Sequence, residues 1–394
     1  LFPYTTLFRS VQTREAQLSV TNVPASVRYC LWGRAAGRCE YRGCNRALYR
    51  DDLTKAEFNT SYIAHIVADQ PDGPRGDAVL SEKLNADISN LMLLCDSHHR
   101  LIDIADVAGH PVSLLDEMKS EHEARVELLT GIQDEMKSHV LLYGAKVGDN
   151  ESPLTTSKAA RAMVPNWYPA TNQPFAIGMK SSFSDGENRY WEMEQENLRR
   201  QFDRLVKPAI SSGDVEHLSV FGFAPIPLLI ALGREISDIC PAEVYQLHRE
   251  PATWSWQKRT PKFRYEVSPS DDSAKTKVAL ILSLSANVLP ERIHSVLGDD
   301  IAIWLIQHND PHNDFLRARS QLQEFRRVMR RTFNQIKAVH GESAELHMFP
   351  AVPVSAAIEI GRVWQPKADL PFLVYDQNRN GGGFVPALSI RQPK

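Results

Sequence analysis

Apolar and polar positions follow two different rhythms along this chain. Before about Gly148 the apolar runs are short and widely spaced. Residues 25–36 carry them at helical spacing. Residues 61–68 (SYIAHIVA) and 90–95 (NLMLLC) are short β-rich runs. Between them, 69–89 is rich in Asp, Pro and Gly and predicts a loop. Residues 96–103 (DSHHRLID) predict the first turns of a helix, with Asp96 or Ser97 as N-cap. Strand, loop, strand, helix is the order of a ββα unit. From Leu114 to about Ala145, apolar residues such as Leu115, Met118, Leu129 and Val140 recur at helical spacing, predicting a helix that closes the domain.

After a polar, Pro-interrupted stretch at 148–158 the rhythm changes. Apolar strand-like runs at 218–224, 242–247, 277–285, 301–307, 344–351 and 370–376 alternate with helical patterns. The helices are expected at about 191–206, 227–240, 314–339 and 354–362. This alternation predicts an α/β architecture with a largely parallel sheet. Strand–helix–strand units around 220–247 and 301–351 suggest two half-domains, though no residue-by-residue internal repeat is evident.

Composition narrows the class. Hydrophobic residues make up 43% and charged residues 24%, ordinary for a soluble globular protein. No run of 18 apolar residues exists, so no membrane helix is expected. Residues 1–10 do not read as a signal peptide and add nothing to the fold. The formal net charge of −3 means that a nucleic-acid binder must concentrate its positive charge locally. Five cysteines are too few for a disulfide framework, so the expected setting is a reducing cytoplasm where close Cys/His sets bind metal.

Such a set is present. Cys39 and Cys44 form a C-x4-C pair, and Cys95 and His98 form a C-x2-H pair. Two close pairs separated by a long insert suit a tetrahedral structural Zn²⁺. His65, Asn90 and His99 follow the order His, Asn, His around the same strands and helix. With the zinc pairs, they resemble the zinc-containing HNH (ββα-metal) endonucleases across about 28–125. The resemblance implies His65 as general base, Asn90 as the residue bracing it, and His99 as ligand of a catalytic Mg²⁺ or Mn²⁺. Many such enzymes carry a metal-binding acid just before the first His; this chain has Ala64 there, with Asp69 and Asp103 as the nearby acids. Arg34, Arg38, Arg42 and Arg46 recur every four residues and would supply phosphate contacts to duplex DNA.

The C-terminal half resembles a SAVED domain in its segments 217–238 (HLSVFGFAPIPLLIALGREISD), 244–257, 308–325 and 349–376. SAVED domains resemble two fused CARF-like, Rossmann-like units that sense cyclic oligonucleotides. The expected fold is thus an α+β HNH domain with structural zinc, joined to an α/β SAVED domain. The expected boundaries are a 1–24 extension, HNH over 25–147, a 148–158 linker and SAVED over 159–394. HNH followed by SAVED is the layout of CBASS anti-phage effectors. Membership implies a cytoplasmic homo-oligomer that assembles further on binding a cyclic di- or trinucleotide from a cognate cyclase, then degrades double-stranded DNA with little sequence preference. Trp254, Trp256, Phe315, Arg317, Trp364 and Lys367 are the expected ligand contacts, through base stacking and phosphate pairing. Two other readings compete. One is a restriction-type HNH nuclease whose C-terminal half reads modified DNA; the other is a zinc module used only for binding. The three catalytic positions count against the second, and the lack of C-terminal basic clustering counts against the first.

Overall fold

The computed structural model describes residues 22–145, 153–178, 189–257, 264–270, 272–377 and 383–392. Residues 1–21 of the expected 1–24 extension and 148–152 of the expected 148–158 linker therefore lie outside the described residues, and the last three linker residues, 156–158, begin a helix. The chain forms two compact units that divide between Ile132 and Gln133.

The first unit contains α1 (Ala25–Arg34), β1 (Ser61–His65), α2 (Leu80–Leu84), β2 (Leu91–Cys95), α3 (Asp96–Arg100) and α4 (Val112–Thr130). The predicted strand, strand, helix order is present, but the 69–89 segment expected as a loop contains α2. β1 and β2 pair antiparallel, with Ser61 opposite Cys95 and His65 opposite Leu91. β2 is buried along its whole length because α1 and the core side chains Leu31, Leu48 and Leu115 close over it. β1 stops at His65 rather than at residue 68, since the next residues are held by the Asn90 side chain instead of a strand partner.

The expected helix over 114–145 is corrected. α4 ends at Thr130, with Gly131 as its C-cap. Residues Lys137–Gly144 form β3, and four consecutive apolar residues, Val140 to Tyr143, are buried on both faces as a central strand requires. β3 pairs with strands of the second unit, so the expected boundary at 147 moves to Ile132.

The second unit continues with α5 (Thr156–Met163), β4 (Tyr168–Pro169), β5 (Phe175–Ile177), α6 (Tyr190–Leu205) and α7 (Lys207–Ser211). Next come β6 (Leu218–Phe223), α8 (Ile226–Ile236), β7 (Ala242–Val244), β8 (Glu266–Ser268), β9 (Lys277–Ser283) and α9 (Pro290–Leu297). The last elements are β10 (Ala302–Gln307), α10 (Arg319–His340), β11 (Glu345–Ala351), α11 (Val354–Val363), β12 (Phe372–Gln377) and β13 (Phe384–Ile390). One sheet runs β4-β3-β6-β7, with β5 also on β3, and all its pairs are parallel. The other runs β13-β12-β11-β9-β10-β8. Its four inner strands are parallel and its edge strands β13 and β8 antiparallel.

The two sheets share one core through α8 and α11. Each of these helices follows a parallel strand through a proline, Pro225 or Pro353. Their sequences then run in step: Ile226 with Val354, Ile230 with Ile358, Leu232 with Ile360, Gly233 with Gly361 and Arg234 with Arg362. This strand–Pro–helix repeat escapes sequence inspection because so few positions are shared, and mainly in the helix.

Candidate functional site

In the first unit a short knuckle after α1 carries Cys39 and Cys44. The end of β2 carries Cys95, and the first turn of α3 carries His98. Their four ligand atoms all lie within 4.8 Å of one another. His98 Nδ1 is 3.2 Å from Cys95 Sγ and 3.6 Å from Cys39 Sγ. A tetrahedral zinc with Zn–S and Zn–N bonds of about 2.3 and 2.0 Å has ligand–ligand edges of roughly 3.5–3.8 Å. Three sulfurs and one imidazole nitrogen at these separations fit that ion. The His98 ring stacks on Tyr41, centroids 4.0 Å apart, and the Tyr41 hydroxyl meets His110 Nε2 at 3.0 Å. Burial lowers the His98 pKa, which keeps the imidazole neutral as a ligand must be. Burial pushes the Cys39 thiol up, a penalty that a bound cation reverses. Glu40 anchors the knuckle: its backbone N–H donates to the Leu93 carbonyl, and its buried carboxylate accepts from the Leu93 N–H. Burial raises the Glu40 pKa to about 7.

His65 ends β1 and is buried. Its Nε2 lies 2.8 Å from the Asn85 carbonyl oxygen. Asn90 is buried just before β2, where its amide acts as a backbone substitute. Its Oδ1 accepts from the Val67 N–H and its Nδ2 donates to the Val67 carbonyl, both at 2.8 Å. Asn90 thus braces the segment following His65, while the His65 ring itself is held by Asn85. His99 stacks on Tyr62, with centroids 4.9 Å apart and an interplanar angle of 15°. Burial lowers the His99 pKa against the opposing pull of Asp103 and Asp96, and His65 is close enough to add to the lowering. Asn90 thus lies beside the segment after His65, and His65 lies within electrostatic reach of His99.

Sequence inspection missed Arg75, which lies in the Pro- and Gly-rich loop. Its buried guanidinium donates to the carbonyls of His65, Ile66 and Ile102 and to Asp103. The DGPRG stretch around it reads as connection because nothing local announces a buried cation.

The arginine series is corrected as a free cationic surface. Arg42 sits between Glu117 and Glu121 at 3.1 and 2.9 Å, and Arg46 bonds Asp52 at 2.7 Å. Arg34 is 3.9 Å from Glu123, and Arg38 donates to the Asn45 carbonyl. Acids of α4 and the 51–55 turn thus pair closely with Arg42 and Arg46.

In the second unit, Trp254 is 2% exposed and edge-on to Phe221, and Trp364 is 1% exposed with its indole N–H on the Leu370 carbonyl. Both are core side chains, which corrects their reading as ligand contacts. Phe315 is also buried, against His308, and Lys367 is exposed. Trp256 and Arg317 lie where two loops meet, beyond the carboxyl ends of β7 and β10. Asp314 accepts from the Arg249 and Glu250 N–H groups, and the Gln257 N–H donates to the Arg317 carbonyl. This junction holds buried polar atoms without hydrogen-bond partners: both ring nitrogens of His248, Trp256 Nε1 and Gln257 Nε2. Buried polar groups are nearly always paired, so such a cluster marks a place that a ligand can satisfy. Crevices beyond strand carboxyl ends are where α/β sheets bind ligands. Sequence inspection passed over His248 and Gln257, which stand beside the chosen tryptophans.

Residues 198–390 match the family described as the SMODS-associated and fused to various effectors sensor domain, SAVED. The two largely parallel sheets fit that assignment. Among solved structures, the Acinetobacter baumannii Cap4 SAVED/CARF-domain containing receptor with the cyclic trinucleotide 2'3'3'-cAAA is 13% identical, with a TM-score of 0.41, over 71% of this chain and 55% of that chain. The same receptor with 3'3'3'-cAAA is 13% identical, with a TM-score of 0.43, over 75% of this chain and 66% of that one. The Moraxella osloensis Cap4 SAVED/CARF-domain containing receptor is 12% identical, with a TM-score of 0.39, over 71% and 57%. The chain thus spans 55% to 66% of the lengths of these receptors. At such distances the SAVED match, not the structural likeness, carries the assignment of the C-terminal region. No curated protein sequence matches the chain. Among the described residues no helix is long and apolar enough to cross a membrane.

Proposed function

We propose that this protein is a cyclic-oligonucleotide-gated DNA endonuclease of the CBASS anti-phage type. The observation that carries the nuclease half is the tautomer imposed on His65. The Asn85 carbonyl can only accept, so the ring proton sits on Nε2 and the basic lone pair on Nδ1. A neutral imidazole so oriented can take the proton from a water attacking a phosphodiester. Asn90 fixes the backbone that presents it. A divalent Mg²⁺ or Mn²⁺ at His99, when bound, supplies neutralisation of charge on the phosphate and the leaving 3′-oxygen. Cys39, Cys44, Cys95 and His98 would hold a structural zinc that ties the knuckle to β2 and α3, keeping His99 opposite β1.

The sensor half rests on the SAVED match. A cyclic di- or trinucleotide is the ligand class, and the junction of the 245–257 and 308–317 loops is its favoured seat. There the half-buried Trp256 and Gln257 offer unpartnered polar atoms for base edges, and Arg249 and Arg317 stand beside them for phosphate. To switch cutting on, the ligand must bind the cutting-competent assembly better than the resting protein. Double-stranded DNA is the substrate, held through its backbone and cut with little sequence preference.

The catalytic assignment is tested with zinc-loaded protein, Mg²⁺, supercoiled plasmid and activating ligand. The parent should nick and linearise the plasmid, and His65→Ala with its zinc retained should do neither. Parental cutting by His65→Ala would overturn the assignment.

A further inference from the structure

Position 64 offers no carboxylate. Ala64 is 1% exposed and pairs with Met92 across the β1–β2 ladder. A divalent ion held by His99 alone would lack the hard anionic oxygen that Mg²⁺ and Mn²⁺ favour. The helix carrying His99 supplies one. After Arg100, α3 passes into a single π turn, Leu101–Ala105, closed by the Asp106 N–H on the Leu101 carbonyl at 2.8 Å. Single π turns recur at functional sites. This one places Asp103 Oδ2 3.2 Å from His99 Nε2. Two donors at right angles on an octahedral ion with bonds of about 2.1 Å stand about 3 Å apart. The pair is already spaced for a shared ion.

The other carboxylate oxygen is taken. Arg75 Nη2 grips Asp103 Oδ1 at 2.5 Å, and the Arg75 side chain is 6% exposed. The same guanidinium donates to the carbonyls of His65 at 3.1 Å, Ile66 at 2.8 Å and Ile102 at 2.6 Å. One cation therefore fixes both the backbone of the base and the direction of the carboxylate. Tyr62 stacks on His99 and limits its ring.

We propose that His99 and Asp103 jointly ligate the catalytic divalent cation, Asp103 supplying the carboxylate that position 64 lacks, and that Arg75 is the positioning residue that aims it. The inference rests on the nuclease reading for what the ion is used for, not for whether it binds. With Oδ1 held by Arg75, Asp103 binds through one oxygen. One imidazole and one carboxylate oxygen leave roughly four octahedral positions for water and phosphate oxygens, a usual arrangement for Mg²⁺.

The test is Mn²⁺ binding to zinc-loaded, full-length protein without DNA, followed by electron paramagnetic resonance of the free ion. The parent should bind Mn²⁺, and Asp103→Asn and His99→Ala should each weaken binding by about tenfold or more. His65→Ala, which removes the base but no ligand, should keep the parental affinity. Zinc content reports that each variant is folded. Asp103→Asn binding Mn²⁺ as tightly as the parent would overturn the proposal. Should that variant lose its zinc, the unmodified protein decides. Its bound Mn²⁺ should show an imidazole nitrogen and keep roughly four of six waters in oxygen-17-labelled water; five retained waters contradict a carboxylate ligand. Two-residue Mn²⁺ binding in a protein that cuts DNA under no condition would support this site and sink the nuclease reading.

Discussion

Gly233 and Gly361 pack reciprocally across the α8–α11 contact. A Cβ on Gly233 would fall 1.8 Å from the Ile358 carbonyl oxygen, and one on Gly361 would fall 2.0 Å from the Ile230 carbonyl oxygen. Ile230 and Ile358 hold the same place in the repeated helix, three residues before each glycine. The contact is therefore two-fold in sequence and in space, with backbone touching backbone. It joins the two sheets of the second unit into one core.

Any side chain at either glycine must push the helices apart. Gly233→Ala and Gly361→Ala should each destabilise the second unit by about 3 kcal/mol. Gly33→Ala, in open space on α1, should be neutral or stabilise by a few tenths to about 1 kcal/mol. Urea unfolding of the full chain reads both. A Gly233→Ala protein that unfolds with the parent would contradict the close approach.

One zinc per chain is expected in protein prepared without chelator. Cys39→Ser and Cys95→Ser should lose it and melt the first unit. Cys30→Ser and Cys240→Ser should keep it, since neither belongs to the cluster. Atomic absorption with circular dichroism gives the answer; full zinc in Cys95→Ser would contradict the ligand set.

Asn90→Ala removes both bonds to Val67 and leaves that buried peptide unpaired. The cost should be about 2–3 kcal/mol. Cutting should fall further than binding of DNA, because the backbone behind His65 loosens while no DNA contact is lost. Equal losses in plasmid-cleavage kcat and KM would argue against bracing.

His217 stacks on Trp167 with centroids 3.6 Å apart, and its Nδ1 meets Ser138 Oγ at 2.7 Å. Burial, then Arg362 and Arg319, lower its pKa from 6.5 to about 4. The unfolded chain therefore takes up this proton first on acidification. The stability it represents is complete above about pH 6.5 and is lost as the pH falls toward 4. The urea midpoint of the second unit should drop between pH 7 and pH 4.5, and less so in His217→Gln. Identical pH slopes would contradict the assignment.

Much of this was legible in the sequence, for physical reasons that can be named. The zinc pairs and the His65, Asn90 and His99 order rest on local spacing, which folding preserves. The runs at 218–224 and 277–285 read as strands because buried parallel strands are continuously apolar. The same feature misled at β3, where Val140 to Tyr143 also fit a helical stripe until Gly131 is seen to stop α4. Arg75 could not be found, because its role comes from four partners distant in sequence. Trp254 and Trp364 were chosen for chemistry that their burial denies them, while the half-buried Gln257, next to the chosen Trp256, carries an unpaired polar atom at the loop junction.

A cyclic oligonucleotide is expected to switch on DNA cutting by His65 and its neighbours. The direct measurement is plasmid cleavage by purified, zinc-loaded protein in Mg²⁺, with no ligand and with each of a panel of cyclic di- and trinucleotides. Little cutting is expected without ligand, and one or a few members of the panel should raise it by about 100-fold or more, a shift of roughly 3 kcal/mol in the active population. Equal cutting with every member and with none would contradict it.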